Sequence, residues 1–573
     1  MNGLTILILS AIVLLAAYLV YGRYLARKWG IDPNKKTPAH ELEDGMDYVP
    51  TDPGVVFGHQ FASIAGAGPI NGPILAVMFG WAPVLLWILI GGVFFGAVQD
   101  FAALYASVKN KGKTIGFIIE TYIGKTGKRL FLIFVWLFSI LVVAAFADIV
   151  AGTFGGFDRV AEGEVVKVVK VPANAAVATT SVLFIVAAVG LGLFLRRVKP
   201  KALVSAAVAC TVLTLCIVAG LFFPIYIDKG VWLYLVFAYI FLASVTPVWA
   251  LLQPRDYLNS FLLVAMIAAA FVGVVIAAPP INIPAFTGFK AGDSYMFPIL
   301  FVTVACGAVS GFHSLVSSGT TSKQIASEKH ILPIGFGSML VESFLAVIAV
   351  ITVGAITIGG KLPQGIETPP QVFASAVASF LVKTGLPESI VFTLITLSIS
   401  AFALTSLDSV ARVGRLAFQE LFTESETESG GSGAAARIRD FFRDKYVATV
   451  CTLLFGYLLA VLGYKAIWPL FGSANQLLAA LSLIACAVFL KKTKRQGVML
   501  YAPMAIMLAV TFTALTLTIL AKGGKLFDGT FNVGQDFLQL AFAVLLLGLG
   551  TMVAVQGVGR LRERAQAVKP EGG

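Results

Sequence analysis

Two of the four histidines in this 573-residue chain lie where they could do chemistry. His59 and His313 occur inside apolar stretches, whereas His40 and His330 lie in polar connecting segments. Imidazole titrates near neutral pH, so a histidine at membrane depth is a candidate for carrying a coupling proton. A structural role is the alternative. Two imidazoles without cysteine or carboxylate support make a poor zinc site, and the sequence predicts no metal and no cofactor.

Hydroxyl side chains are dense around His313, in the segment from Ser310 to Thr321. Hard cations such as sodium prefer oxygen ligands, which makes Ser317, Ser318 and Thr320 candidate ion ligands. Small residues also allow membrane helices to approach closely, so helix packing is the alternative interpretation.

The apolar segments contain four acidic residues, Asp100, Asp148, Glu342 and Asp408. Charges at membrane depth are candidates for function, and Asp408 is predicted to take part in ion coupling. Arg412 follows it by four residues, one helical turn, so a structural ion pair is the alternative. Arg255-Asp256 is predicted as a cytoplasmic gate pair, with a weak solvated loop pair as its alternative.

The segment Gly58–Pro73 is apolar yet rich in residues that interrupt a helix. Unpaired backbone groups cost several kcal/mol in hydrocarbon, so a break survives only where it lines a cavity or a path for water. The start of the second half-helix would present amide groups and a positive dipole end, which suit a carboxylate. The predicted substrate-binding residues at this break are Ala65, Gly66, Ala67, Gly68, Pro69 and Asn71.

A second breaker, Ser244-Val245-Thr246-Pro247, lies within the apolar segment 231–251. Thr246, Trp249 and Gln253 flank it and are predicted to contact substrate as well. An aromatic residue such as Trp249 serves packing or lipid contact equally often, and that alternative stays open.

The composition describes a membrane protein. Hydrophobic residues make up 58% of the chain and charged residues only 13%, with a mean hydropathy of +0.89. Fifteen apolar segments of spanning length predict an all-α polytopic membrane protein embedded in a lipid bilayer. Its net charge of +12 reflects loop topology and does not indicate nucleic-acid binding.

Loop charges test that topology. With the N-terminus outside, 32 of the 42 Lys and Arg residues fall in inside loops and 10 in outside loops. Such an excess follows the positive-inside rule and predicts a cytoplasmic C-terminus.

Spans 58–79 and 231–251 stand five apart and run in opposite directions. Two five-helix units of opposite orientation, each opening on a broken helix, indicate an inverted-repeat transporter. The predicted organisation is a peripheral helix with a cytoplasmic linker (1–57), a ten-helix core (58–415), a flexible cytoplasmic loop (416–445) and four peripheral helices with a tail (446–573).

Three strings carry a family resemblance: Gly58–Pro73 followed by Gln99-Asp100, Thr246–Tyr257, and Ser310–Ser322. Together they resemble the signature of the carbon starvation protein A (CstA) family. The resemblance implies a LeuT-like fold of the amino acid–polyamine–organocation superfamily. It also implies an inner-membrane importer of peptides or of pyruvate. Family members are regarded as proton-coupled, which favours protons over sodium.

The sequence therefore predicts a symporter and not an enzyme. No P-loop string precedes a helix, which argues against primary ATP-driven transport. A membrane redox or haem protein is one alternative, although it would need paired histidines or a Cys-x-x-Cys-His string. A nutrient sensor that does not transport is the other.

Overall fold

Long apolar helices make up most of the chain. The computed structural model describes residues 2–563 apart from 46, 163–164, 199, 248–250, 358–361, 364–365, 367, 423–433 and 496. The helices are α1 (Gly3–Ala16), α2 (Arg23–Trp29), α3 (Pro38–Glu41), α4 (Pro53–Ile64), α5 (Gly68–Ala76), α6 (Trp81–Gly91), α7 (Ala97–Lys109), α8 (Ile115–Tyr122), α9 (Lys125–Phe154), α10 (Pro172–Val198), α11 (Ala202–Phe222), α12 (Lys229–Val245), α13 (Leu252–Ala277), α14 (Met296–Val304), α15 (Gly311–Gly319), α16 (Ser338–Ile356), α17 (Pro369–Leu381), α18 (Glu388–Leu421), α19 (Ala434–Arg443), α20 (Lys445–Ala460), α21 (Tyr464–Lys492), α22 (Val498–Phe527) and α23 (Gln535–Arg562).

Two short antiparallel hairpins interrupt the helical pattern in connecting segments. They are formed by β1 (Phe157–Glu162) with β2 (Val165–Lys170), and by β3 (Lys290–Ala291) with β4 (Ser294–Tyr295). The all-α prediction did not include them.

Among the described residues, twelve helices are long and apolar enough to cross a membrane. The bent pair α4–α5 forms one further span, and α12 and α20 are shorter apolar helices. A multi-pass membrane protein is therefore confirmed. Two shorter helices, α8 and α17, lie between the spans.

The first predicted break is present. Helix α4 ends at Ile64, α5 begins at Gly68, and the two are bent by 44°. Pro69 occupies the first turn of α5, where its missing N–H costs nothing and its fixed φ favours helix. The Gly/Pro-rich string thus ends one helix and starts the next.

The predicted interruption within 231–251 is wrong. Helix α12 runs unbroken to Val245, and Thr246 caps its end, with the Thr246 hydroxyl donating to the Leu242 carbonyl at 2.6 Å. Pro247 cannot continue a helix and restricts the residue before it. The breaker therefore marks the end of one helix before α13, and it does not interrupt a span.

A second interrupted span lies elsewhere, in 296–323. Helix α14 ends at Val304, a 3₁₀ turn covers Ala305–Gly307, and α15 starts at Gly311. Ala305 has a φ of +37°, which is uncommon for a residue with a Cβ, and Ser310 is extended. Strained backbone of this kind persists where the surrounding structure enforces it and is concentrated at functional sites.

The longest helices lie beside this pair of interruptions. Helices α9 and α18 pack along each other, and the Ser400 hydroxyl donates to Thr153 at 2.7 Å across their contact. Gly414 of α18 sits directly against Ser139 of α9. The breaks of the interrupted spans lie against these two helices.

Candidate functional site

The two interrupted spans meet at their breaks. A Cβ placed on Gly68, the first residue of α5, would lie 2.6 Å from the Cys306 sulfur in the second break. One turn further, a Cβ on Gly72 would lie 2.5 Å from the carbonyl oxygen of Val304. Both distances are too short for a side chain, so glycine permits the close approach of the two backbones.

A small cavity lies at this crossing. Its volume is about 20 Å³, which is room for about one water molecule. Residues from both breaks and from α9, α18 and α21 line it: Ile64, Gly66, Gly68, Phe138, Val142, Phe146, Cys306, Phe312, Ser406, Val410, Phe471 and Asn475. No molecule much larger than water fits this cavity in the present conformation.

Asn475, on α21, holds the start of α15 in place. Its Oδ1 accepts the Phe312 N–H at 3.1 Å and the Ser310 hydroxyl at 3.3 Å. Its Nδ2 donates to the Ser310 oxygen at 3.1 Å. A buried side-chain amide thus acts as the cap of the second half-helix, supplied by another helix.

The cavity suits an anion even though no lysine or arginine side chain lines it. Its lining contains no charged side chain. Gly68 opens α5, and Phe312 lies in the first turn of α15, so the N-terminal ends of two half-helices border the cavity. Helix N-termini carry a partial positive charge and backbone donors that bind carboxylates.

The predicted residues of the first break are all buried here. Ala65, Ala67 and Pro69 are buried among the interrupted segments, and Gly66 and Gly68 line the cavity. Asn71 is fully buried, and neither its Oδ1 nor its Nδ2 has a hydrogen-bond partner among the described residues. A buried amide in that condition is rare and costly.

The predicted ion residues of α4 and α15 are brought together. His59 contacts the Thr320 hydroxyl at 3.2 Å, and Gln60 donates to Ser317 at 2.9 Å. Ser318 donates to the Ser314 carbonyl and accepts the Ile115 N–H. These hydroxyl contacts join α15 to α4 and to the start of α8.

His313 does not pair with His59. Its Nδ1 lies 2.8 Å from Asp100 Oδ2, and its Nε2 lies 3.3 Å from Glu342 Oε2. All three side chains are 0% exposed. Asp100 lies on α7, His313 on α15 and Glu342 on α16. Three helices therefore meet at a buried cluster of two acids and one histidine. We call these three residues the buried triad.

Asp408 pairs with Arg255 and not with Arg412. Its Oδ2 accepts from the Arg255 guanidinium and from the Tyr239 hydroxyl. Arg255 is 1% exposed, so the predicted gate pair is neither a solvated loop pair nor a pair with Asp256 alone. Arg412 instead donates to the carbonyls of Ala243 and Thr246, where α12 ends.

Thr246, predicted at the second breaker, is not among the residues that line the cavity. The Thr246 hydroxyl is committed to its own helix end. Gln253 falls in the first turn of α13, and Trp249 lies outside the described residues.

Sequence reasoning missed Cys306 and Asn475. An asparagine inside a long apolar run was the available signal, because buried polar groups in membranes are expensive.

The sequence is similar to a known protein family over most of its length. Residues 2–366 and 363–514 match the family described as Carbon starvation protein CstA. The chain is 33% identical to the peptide transporter CstA of Escherichia coli, over 94% of this chain and 83% of that protein. It is 32% identical to the peptide transporter CstA of Bacillus subtilis, over 97% of each.

Two further proteins extend the comparison. The pyruvate/proton symporter BtsT of Escherichia coli is 31% identical, over 94% of this chain and 84% of its own length. A crystal structure of the Eremococcus coleocola manganese transporter aligns with a TM-score of 0.50 at 10% identity, covering 91% of this chain and 99% of that one. That likeness concerns the fold alone. The chain belongs to the carbon starvation protein CstA family of membrane transporters.

Proposed function

We propose that this protein is a secondary active transporter that imports a small carboxylate-bearing nutrient, a peptide or pyruvate, together with a proton when carbon is scarce. The observation that carries the proposal is the crossing of two interrupted spans at Gly68 and Cys306. Discontinuous helices whose ends face a common site are the way secondary transporters bind substrates within the membrane. The printed names of the relatives supply the two substrate classes and the proton.

The proposed architecture has fifteen spans with a five-plus-five LeuT-like core. We place the second repeat at Met296, where the second interruption lies, instead of at 231. Each interrupted span is followed by a span with a π-helical turn, a short helix and a very long helix. The first set is α6–α7, α8 and α9, and the second is α16, α17 and α18.

Each long helix is later followed by a short apolar span and a longer one. These are α12 with α13 in the first repeat and α20 with α21 in the second. Helices α10 and α11 pack on each other and form a two-helix insertion in the first repeat. The core then extends over 53–492, with one span before it and α22 and α23 after it.

Seven spans separate the starts of the two repeats, an odd number, so the repeats have opposite orientations. The loop charges favour an outside N-terminus and a cytoplasmic C-terminus in the inner membrane. Reporter fusions at both termini test this orientation.

Substrate recognition is proposed to use the two half-helix starts together with Asn71 and Asn475. The carboxylate of the nutrient would accept from the backbone at Gly68 and at the start of α15 once the spans separate. The aromatic side chains around the cavity, Phe138, Phe146 and Phe471, would cover the rest of the molecule. Because the closed cavity is small, binding and opening are coupled.

Cys306 provides the test, because its thiol lies in the cavity lining. In a variant whose other four cysteines are replaced by alanine, a small thiol reagent labels Cys306 only when the site opens. We expect pyruvate or a short peptide to slow that labelling. A matched variant that keeps only Cys486, which is buried in α21 outside the cavity lining, should show no protection. Equal labelling rates with and without every candidate nutrient would contradict the proposed site.

A further inference from the structure

The buried triad differs from the other buried ion pairs in its charge balance. Asp408 has the guanidinium of Arg255 as its partner, and Asp148 has the ammonium group of Lys229 at 2.7 Å. Asp100 and Glu342 share one imidazole between them. Among the described residues, neither carboxylate forms an ion pair with a lysine or arginine.

We propose that the triad is the site that binds and releases the coupling proton, and that Glu342 is the group that takes it up. This inference rests on the proposed function, since it names the residues that would couple transport to protons. With His313 as imidazolium and both acids ionised, the triad carries one net negative charge. One further proton makes it neutral.

Charge neutrality matters because all three groups are sealed from solvent. An uncompensated charge in a protein interior costs several kcal/mol even after relaxation. In the closed conformation the neutral, proton-loaded triad is therefore favoured. When the site opens to water, hydration removes that cost and the proton can leave.

Glu342 is the acceptor because it is the less satisfied of the two acids. Asp100 holds the His313 ring at 2.8 Å, whereas both oxygens of Glu342 lack a hydrogen-bond partner among the described residues. A carboxylate without donors gains least from ionisation, so it accepts the proton first. The three groups titrate as one coupled unit.

Other titratable groups near Glu342 are few. Helices α1, α5, α6 and α17, which pack on α16, contain no acidic, basic, cysteine or tyrosine side chain. Cys306 lies in the 3₁₀ turn that packs on α16, and it also lines the cavity. Helix α4 contributes His59, which contacts Thr320.

Helix α13 contributes Arg255, which is bound to Asp408 and has Asp256 beside it. Tyr257 also lies on α13. Helix α7 contributes Tyr105, which donates to the Trp29 carbonyl, and Lys109, which is paired with Glu328.

The triad is mechanically joined to the second break. His313 lies three residues past Ser310, and Gln99, next to Asp100, donates to the Ser310 carbonyl at 2.7 Å. Proton loss leaves the buried triad with one uncompensated negative charge, and water relieves that cost once α7, α15 and α16 separate. Loss of the proton therefore favours the same movement that opens the cavity.

Glu342→Gln tests the assignment in reconstituted vesicles, because it keeps the shape and removes the titration. We expect wild type to accumulate nutrient under an inward proton gradient. Glu342→Gln should lose that accumulation while retaining exchange of labelled for unlabelled nutrient. Glu342→Asp should restore part of it. Asp148→Asn removes another intramembrane carboxylate and should leave proton-driven accumulation intact.

A second measurement is independent of transport. Infrared difference spectra of the purified protein between acid and neutral pH report carbonyl stretches of protonated carboxyl groups. We expect a titrating band in wild type that is absent from Glu342→Gln and present in Asp148→Asn. If wild type moves no nutrient but shows this band, the proposed function fails and the proton site stands.

Three outcomes would overturn the inference. Glu342→Gln could keep proton-driven accumulation, the infrared band could survive in that variant, or wild-type accumulation could follow a sodium gradient instead. In the last case the hydroxyls of α15 would become the ion-site candidates.

Discussion

Gly68 and Cys306 touch where the two interrupted spans cross, with no space for a side chain between them. We therefore expect Gly68→Ala to impair transport, because its Cβ would fall 2.6 Å from the Cys306 sulfur and 2.7 Å from the Cys306 Cβ. Overpacking of this kind costs about 1–3 kcal/mol. Gly68→Leu should abolish uptake while the protein still inserts into the membrane.

A compensating change sharpens this prediction. Cys306→Gly removes both clashing atoms, so the double variant Gly68→Ala/Cys306→Gly should recover transport relative to Gly68→Ala. Gly58→Ala is the matched control, because a Cβ at Gly58 meets no atom within 4 Å. Equal uptake by the Gly68→Leu variant and wild type would remove this crossing from the transport pathway.

Asn475 should contribute to both stability and transport. Asn475→Ala removes the acceptor of the Phe312 N–H, and loss of a helix cap costs about 1 kcal/mol. We expect a lower melting temperature in detergent and weaker nutrient affinity. A melting temperature unchanged by Asn475→Ala would contradict the capping role.

Asp408 should be among the most sensitive positions for folding. Asp408→Asn would remove the nearer of the two carboxylates beside the buried Arg255 guanidinium and leave only Asp256 at 3.5 Å, and breaking a buried ion pair costs about 3–5 kcal/mol. We expect a large loss of thermal stability. Arg412→Gln should cost less, because that half-buried side chain bonds only backbone carbonyls and is not paired with Asp408. Similar losses in the two variants would contradict this assignment.

The sequence pattern predicts those structural features that depend on residues close together in the chain. Gly66, Gly68 and Pro69 break a helix by their own backbone properties, so the first interruption was predictable. The second interruption contains only one glycine, Gly307, and no proline. It is enforced by packing against α5 and α21, which no local pattern reveals. Thr246-Pro247 carries the stronger local signal and simply ends a helix.

The same limit applies to the candidate site: its polar residues are recognisable from the sequence, but their contacts are not. Asp100, His313 and Glu342 each stood out as polar residues in apolar runs, yet Asp100 and His313 are 213 positions apart in the chain. Only the tertiary fold shows that the three meet, and that His59 contacts Thr320 instead. Asp408 and Arg412 illustrate the converse, because one-turn spacing suggested a pair that the fold replaces with Arg255.

The central claim is that a carboxylate nutrient moves with a proton through the crossing of the two interrupted spans. Its most direct test is uptake of labelled pyruvate, dipeptides and tripeptides into vesicles containing the purified protein, under imposed proton or sodium gradients. We predict that at least one of these nutrients accumulates above its outside concentration under an inward proton gradient, and that Gly68→Leu abolishes this while Gly58→Ala does not. Absence of accumulation of all three nutrient types under a proton gradient, in protein that is folded and inserted, would contradict the claim.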